Sequence, residues 1–179
     1  LSDFSHPAQA LADAMTIIDE FSPSPEVGGV DVSGRTVAFV GDGNNVARSL
    51  AAICKVLGMN FVLASPEGYE LPDDGFIQLT RDPEEAVAGA DVIYADPFVS
   101  MGEEGEKGEK LKAFEGFQIN RPLVNKAGEH VIVLHCLPAY RGSEITDQVM
   151  DGPRSRVFSQ AHNRLHAQKG LLAVLLGGG

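Results

Sequence analysis

Val131-Ile132-Val133-Leu134-His135-Cys136-Leu137-Pro138 decides how this chain is read. Its first four residues are apolar and mostly β-branched, and Gly128 and Pro138 bound the run. The pattern predicts a strand buried on both faces, as in a parallel sheet covered by helices. In an open sheet of that kind, ligands bind just beyond the carboxyl ends of the strands. Cys136 stands at such an end, and Pro138 stops the strand behind it. A thiol there can donate a hydrogen bond, attack as a nucleophile or accept a proton. Free cysteine is equally at home as a small core residue, so position alone leaves these readings open.

The same kind of strand recurs along the chain. Thr36 to Val40, Asn60 to Ser65, Phe76 to Leu79 and Asp91 to Ala95 read as four further strands, and Val157-Phe158 as a short last one. Helical segments separate them. Pro7 opens the first helix, a position where its missing N–H costs nothing, and Leu11, Met15 and Ile18 form its apolar stripe as far as Phe21. Val46, Leu50, Ile53 and Leu57 mark a second helix, with Cys54 inside it as packing. Further helices are expected at Pro83 to Ala90, Leu111 to Phe117, around Val124, and His162 to Leu176. Glu103 to Lys112 mixes charges and reads as a solvated loop and helix face. The fold class is α/β: a doubly wound, mostly parallel, Rossmann-like sheet between helices in three αβα layers.

Composition narrows the function classes. The 179 residues are 44% hydrophobic, enough for one domain with a sizeable core. A net charge of −11 argues against nucleic acid or an anionic membrane as partner. The longest apolar run, Leu171 to Leu176, is far too short to span a bilayer. Two cysteines far apart in sequence make no disulfide framework, so a reducing compartment is expected. Cytoplasm and mitochondrial matrix both fit.

Gly41-Asp42-Gly43-Asn44-Asn45 invites comparison with the dinucleotide fingerprint G-x-G-x-x-G, and Glu67 lies roughly where a ribose-binding acid would sit. Val46 occupies the third glycine position, which argues against a dinucleotide. Asn44 and Asn45 instead offer donors and acceptors together, as an amino-acid head group requires. Asp96, after another strand, can anchor a cation, although aspartate before proline is also a common turn. His6 and Gln9 share one face at a helix start, where N–H groups favour anions. Arg164 lies near the start of the last helix, where it is either solvated or an oxyanion clamp. His162 and His166 have a metal-compatible spacing, but no third ligand or H-E-x-x-H acid accompanies them.

Five motifs stand in one order: Asp3-x-x-His6-Pro7-x-Gln9, Gly41-Asp42-Gly43-Asn44-Asn45, Asp96-x-x-x-Ser100-Met101-Gly102, His135-Cys136-Leu137-Pro138, and Asn163-Arg164-Leu165-His166-Ala167-Gln168. Together they resemble the second, ornithine-binding domain of the ornithine carbamoyltransferases, over essentially the whole chain. That family transfers a carbamoyl group from carbamoyl phosphate to the δ-amine of L-ornithine, giving L-citrulline and phosphate, without metal or organic cofactor. The resemblance implies that His6, Gln9, Cys136, Leu137 and Arg164 contact carbamoyl phosphate, with Cys136 and Arg164 catalytic. It implies that Asn45, Asp96, Ser100 and Met101 surround ornithine. Ala8, Phe98 and Tyr140 stand where the family usually has Cys or Thr, Trp and His, and none of these changes removes a matched contact. The family's Ser-Thr-x-Thr-Arg phosphate loop has no counterpart here. Leu1 to Gly179 is therefore expected to be a single domain, short of an N-terminal carbamoyl-phosphate domain, and homotrimeric when complete.

Overall fold

A computed structural model describes residues 1–22, 30–99, 105 and 107–177. Its sheet is built from β1 (Thr36–Val40), β2 (Asn60–Ala64), β3 (Gln78–Thr80), β4 (Val92–Ala95) and β5 (Ile132–His135). The strands run in the order β3-β2-β1-β4-β5 and every neighbouring pair is parallel. The helices are α1 (Pro7–Phe21), α2 (Asn45–Val56), α3 (Pro83–Val87), α4 (Lys107–Ala113), α5 (Arg121–Val124), α6 (Asp147–Met150) and α7 (Val157–Leu176). This is the doubly wound α/β class that the strand pattern predicts. The chain leaves β1 towards one edge and returns to β4 on its other side, so the order reverses between β1 and β4. Such a reversal opens a crevice at the strands' carboxyl ends.

Strand pleating divides the core in two. Val37 and Phe39 of β1, Val92 and Tyr94 of β4, and Ile132 and Leu134 of β5 pack with Ile17 of α1 and Leu50 of α2. Tyr94 stacks on Phe39 with ring centroids 5.3 Å apart. The alternate residues Ala38, Val40, Ile93 and Val133 face Val87 of α3, Phe114 just past α4, Leu123 of α5 and Val149 of α6. Both faces are covered, which is why β4 and β5 read as unbroken apolar runs.

Three expectations change. Val157-Phe158 opens α7 rather than forming a strand. The extended pairing lies just upstream, as one parallel bridge between Ser155 and Val133. Two β-branched or aromatic residues are a weak strand signal, and a 20-residue helix packing on α1 overrides it. On α1 the Leu11, Met15 and Ile18 stripe is only half-buried. The buried face is offset by one position and mixes Ala10, Ala14 and Ile17 with Gln9, Asp13 and Thr16. On α4, Lys110 is not solvated: it is 3% exposed and its Nζ lies 2.6 Å from Asp42 Oδ2. The outer part of α7 leaves Leu172, Val174, Leu175 and Leu176 exposed.

Candidate functional site

The Gly41-Asp42-Gly43-Asn44-Asn45 turn leaves β1 at the crevice. Gly43 donates its N–H to Tyr69 O at 2.7 Å. A Cβ at Gly43 would meet Leu71 N at 2.5 Å and Glu70 C at 2.7 Å, both backbone atoms that cannot step aside. Gly43→Ala is expected to destabilise the chain by about 1–3 kcal/mol or more, read as a lower urea midpoint. An unchanged midpoint would mean that the loop at 69–71 moves freely.

Asn44 caps α2, its side-chain oxygen accepting from Val46 N at 3.0 Å and Ala47 N at 3.2 Å. The amide NH2 of the same side chain donates to Asp96 Oδ2. Asp96 follows β4 and is buried, and its other oxygen accepts from the Cys136 thiol at 2.6 Å. Burial pushes the Asp96 carboxyl above its usual range, opposed by the hydrogen bonds from Asn44 and Cys136. Burial first, and the Asp96 charge second, push the Cys136 thiol well above the usual thiol range. Cys136 is therefore a protonated donor at neutral pH, not a thiolate. The resemblance implies Asn45 at the head-group site; in the structure Asn44 is the one of the pair that touches Asp96. Asn45 is half-buried and donates to Ser2 O at 2.6 Å. Ser100 and Met101 lie outside the described residues.

A second cluster forms where α1 and α7 meet. The His6 ring caps α1, Nδ1 accepting from Gln9 N at 3.3 Å, while His6 N donates to Ser49 Oγ on α2 at 2.7 Å. Burial, then the nearby Arg164 charge, lowers the His6 pKa, so the ring is neutral at pH 7 with its proton on Nε2. Arg164 of α7 donates from Nη1 to Gln9 Oε1 at 2.5 Å. Its Nε is buried with no partner among the described residues. A buried donor of this kind calls for an explanation, and a catalytic role is one. Leu137 has φ +59°, a backbone conformation that a side chain other than Gly, Asn or Asp rarely takes. Strain of that kind collects at functional sites.

Buried polar contacts join the two clusters. Gln160 of α7 donates to Asp13 at 2.6 Å and accepts from His135 N at 2.8 Å. The N–H of Leu137 donates to His135 Nδ1, so the ring proton sits on Nε2 and faces Glu144 Oε1 at 3.0 Å. Asp13, Tyr94, Gln160, Glu144 and the Lys110–Asp42 pair were not legible as site residues. The only signal for Asp13 is its position four residues after Gln9, one helical turn on. His162 and His166 face each other with Nε2 atoms 2.9 Å apart, and among the described residues no group of three metal-binding side chains gathers. A groove of about 480 Å³ beside them, lined by Asp19, Glu20 and Asn163, holds none of the site residues. Among the described residues no helix is long and apolar enough to cross a membrane.

A parallel α/β sheet with a carboxylate–thiol pair at its reversal point, next to an amide-held guanidinium, is the kind of architecture in which small polar ligands bind. Residues 33–175 match the profile of the aspartate/ornithine carbamoyltransferase Asp/Orn-binding domain, and the chain belongs to that family. It is 48% identical to the ornithine carbamoyltransferase of Methanopyrus kandleri, in a match that covers 99% of this chain and 58% of that protein. The ornithine carbamoyltransferase structure from Pyrococcus furiosus superposes with a TM-score of 0.89 at 47% identity, covering all of this chain and 59% of that one. The Thermus thermophilus enzyme superposes with a TM-score of 0.85 at 42% identity, covering 98% and 57%. The chain thus spans less than three-fifths of the length of these relatives.

Proposed function

We propose that this chain is the ornithine-binding part of an ornithine carbamoyltransferase, which makes L-citrulline and phosphate from L-ornithine and carbamoyl phosphate. The observation that carries this reading is the placement of two complementary clusters on neighbouring elements. Asn44, Asp96 and Cys136 suit an amine, while His6, Gln9 and Arg164 suit a carbonyl bearing an anion. In this reading Asp96, Asn45, Ser100 and Met101 receive ornithine. Cys136 and Leu137 meet the reacting amine and the carbamoyl group, and His6, Gln9 and Arg164 hold carbamoyl phosphate.

A lysine-like δ-amine with pKa ~10.4 is neutral in roughly one molecule in a few thousand at pH 7, a penalty of ~4–5 kcal/mol. The site has to take that proton. The protonated Cys136 thiol hydrogen-bonded to Asp96 is suited to relay it rather than to attack carbon. The δ-nitrogen then bonds to the carbamoyl carbon, the carbon–oxygen bond to phosphate breaks, and the departing phosphate carries the proton away. Neutral His6 donates from Nε2 to the carbonyl oxygen, and Arg164 meets the developing negative charge.

A phosphate dianion calls for more positive charge than Arg164 provides in a chain of net charge −11. The remaining length of the relatives is the natural source, and the exposed apolar face of α7 fits a chain that works against further protein. The assembly we infer is a homotrimer of complete chains, and the isolated chain turns over little substrate. Calorimetric titration with L-ornithine and with putrescine tests the acceptor. Binding of ornithine alone is expected, and equal binding of putrescine would overturn the head-group assignment. In an active enzyme containing this chain, Cys136→Ser is expected to shift the pH profile for ornithine. If profile and rate both stay as they were, Cys136 has no part in proton transfer.

A further inference from the structure

Gln9 lies between two groups of opposite hydrogen-bonding character. On one side is Asp13, fully buried, whose Oδ1 accepts from Gln9 Nε2 at 2.8 Å. On the other is the Arg164 guanidinium, which donates to Gln9 Oε1 at 2.5 Å. A carboxylate only accepts and a guanidinium only donates. Turning the Gln9 amide over would set NH2 against guanidinium and carbonyl against carboxylate, two repulsive contacts at once. Asp13 itself cannot turn away, because Gln160 Nε2 holds Oδ1 at 2.6 Å and the Tyr94 hydroxyl holds Oδ2 at 3.1 Å. The amide therefore has one orientation, with its carbonyl oxygen on the Arg164 side.

We propose that Asp13 is a positioning residue that fixes the polarity of the Gln9 amide, so that the site selects the NH2 end of a carbamoyl group. The inference rests on the proposed function and extends it to a residue that touches no substrate. A carbamoyl group carries one donor, NH2, and one acceptor, C=O. The Gln9 oxygen accepts from the first, while His6 and Arg164 serve the second. Acetyl phosphate has the same carbonyl and phosphate with a methyl in place of NH2. It leaves the Gln9 oxygen without that partner, and a site built around such a bond rejects analogues that lack the donor.

The selection has a pH dependence of known sign. Burial pushes Asp13 up to about 7. Below that pH one carboxyl oxygen carries a proton; where that oxygen is Oδ1, which faces Gln9, the constraint lapses and selection weakens. The titratable or charged groups that face Asp13 are Tyr94 on β4, Arg164 on α7, Cys54 on α2 and Cys136 after β5. Burial pushes the phenol and both thiols up, so none of the three ionises near neutrality.

Two measurements test this. In the 179-residue chain, nitrogen-15 NMR of the Gln9 side-chain amide should show NH2 protons protected from exchange above pH 7, with protection lost in Asp13→Asn. Equal protection in a folded variant overturns the positioning role. In an active enzyme containing this chain, inhibition by acetyl phosphate is compared with the KM for carbamoyl phosphate. The wild type should prefer the carbamoyl compound, and Asp13→Asn should shrink that preference about tenfold or more, leaving the KM for ornithine within about twofold. A merely structural role would raise both KM values together, and an unchanged preference overturns the proposal. If the wild type takes neither phosphate, the proposed function fails, while the NMR result still decides whether Asp13 holds Gln9.

Discussion

Arg164→Ala, in an active carbamoyltransferase containing this chain, is expected to lower citrulline formation by roughly 10²-fold, the scale seen when one preorganised donor is removed from developing charge. Its geometry supports an effect of that size. Nη1 is committed to Gln9 Oε1, while the buried Nε has no partner among the described residues. The substitution therefore removes a charge, leaves Gln9 Oε1 without its donor and opens space beside His6. Arg164→Lys is not expected to restore the rate, because one ammonium cannot hold Gln9 and meet an anion in the geometry of a planar fork. The measurement is kcat/KM for carbamoyl phosphate at saturating ornithine. A value within a few-fold of wild type would remove Arg164 from the site.

What the sequence makes legible here depends on the range of the interactions involved. β5 and β4 are readable because a doubly covered strand must be apolar on both faces, and that shows within four residues. The Cys136–Asp96 pair is readable as a possibility because both residues follow strands that end at one crevice. Asn44 and Asn45 are adjacent and chemically alike, so no local pattern says which one reaches Asp96. The cap geometry of α2 decides it. Asp13 is hidden for a different reason. The Leu11, Met15 and Ile18 stripe draws attention to a face of α1 that is only half-buried. The truly buried face earns its place through partners 147 residues away at Gln160 and 81 residues away at Tyr94. Lys110 is hidden likewise: in a mixed-charge run it looks solvated until the fold brings Asp42 to it.

The second large effect concerns stability, and its sign is opposite to that on catalysis. The carboxyl of Asp13 is pushed up to about 7 by burial, against ~3.9 for an unfolded aspartate. Between those values the folded chain binds the proton and the unfolded chain does not, so stability falls as pH rises through the window. From pH 5 to pH 8 the wild type should lose roughly 3 kcal/mol from this one group, two pH units at ~1.36 kcal/mol each. Asp13→Asn carries no such dependence. Compared with the protonated wild-type carboxyl at pH 5, the amide puts NH2 where a single O–H stood, and its second buried N–H lacks an acceptor, which costs about 1–3 kcal/mol. The variant should therefore be the less stable protein at pH 5 and draw level with or overtake the wild type at pH 8. Urea unfolding of both proteins at the two pH values measures the crossing. Curves that stay parallel would mean that Asp13 is ionised throughout, held by Arg164 and its three donors. A crossing would mean that the fold keeps a buried charge at neutral pH against its own stability, as expected if that charge holds Gln9 in the one orientation that accepts a carbamoyl NH2.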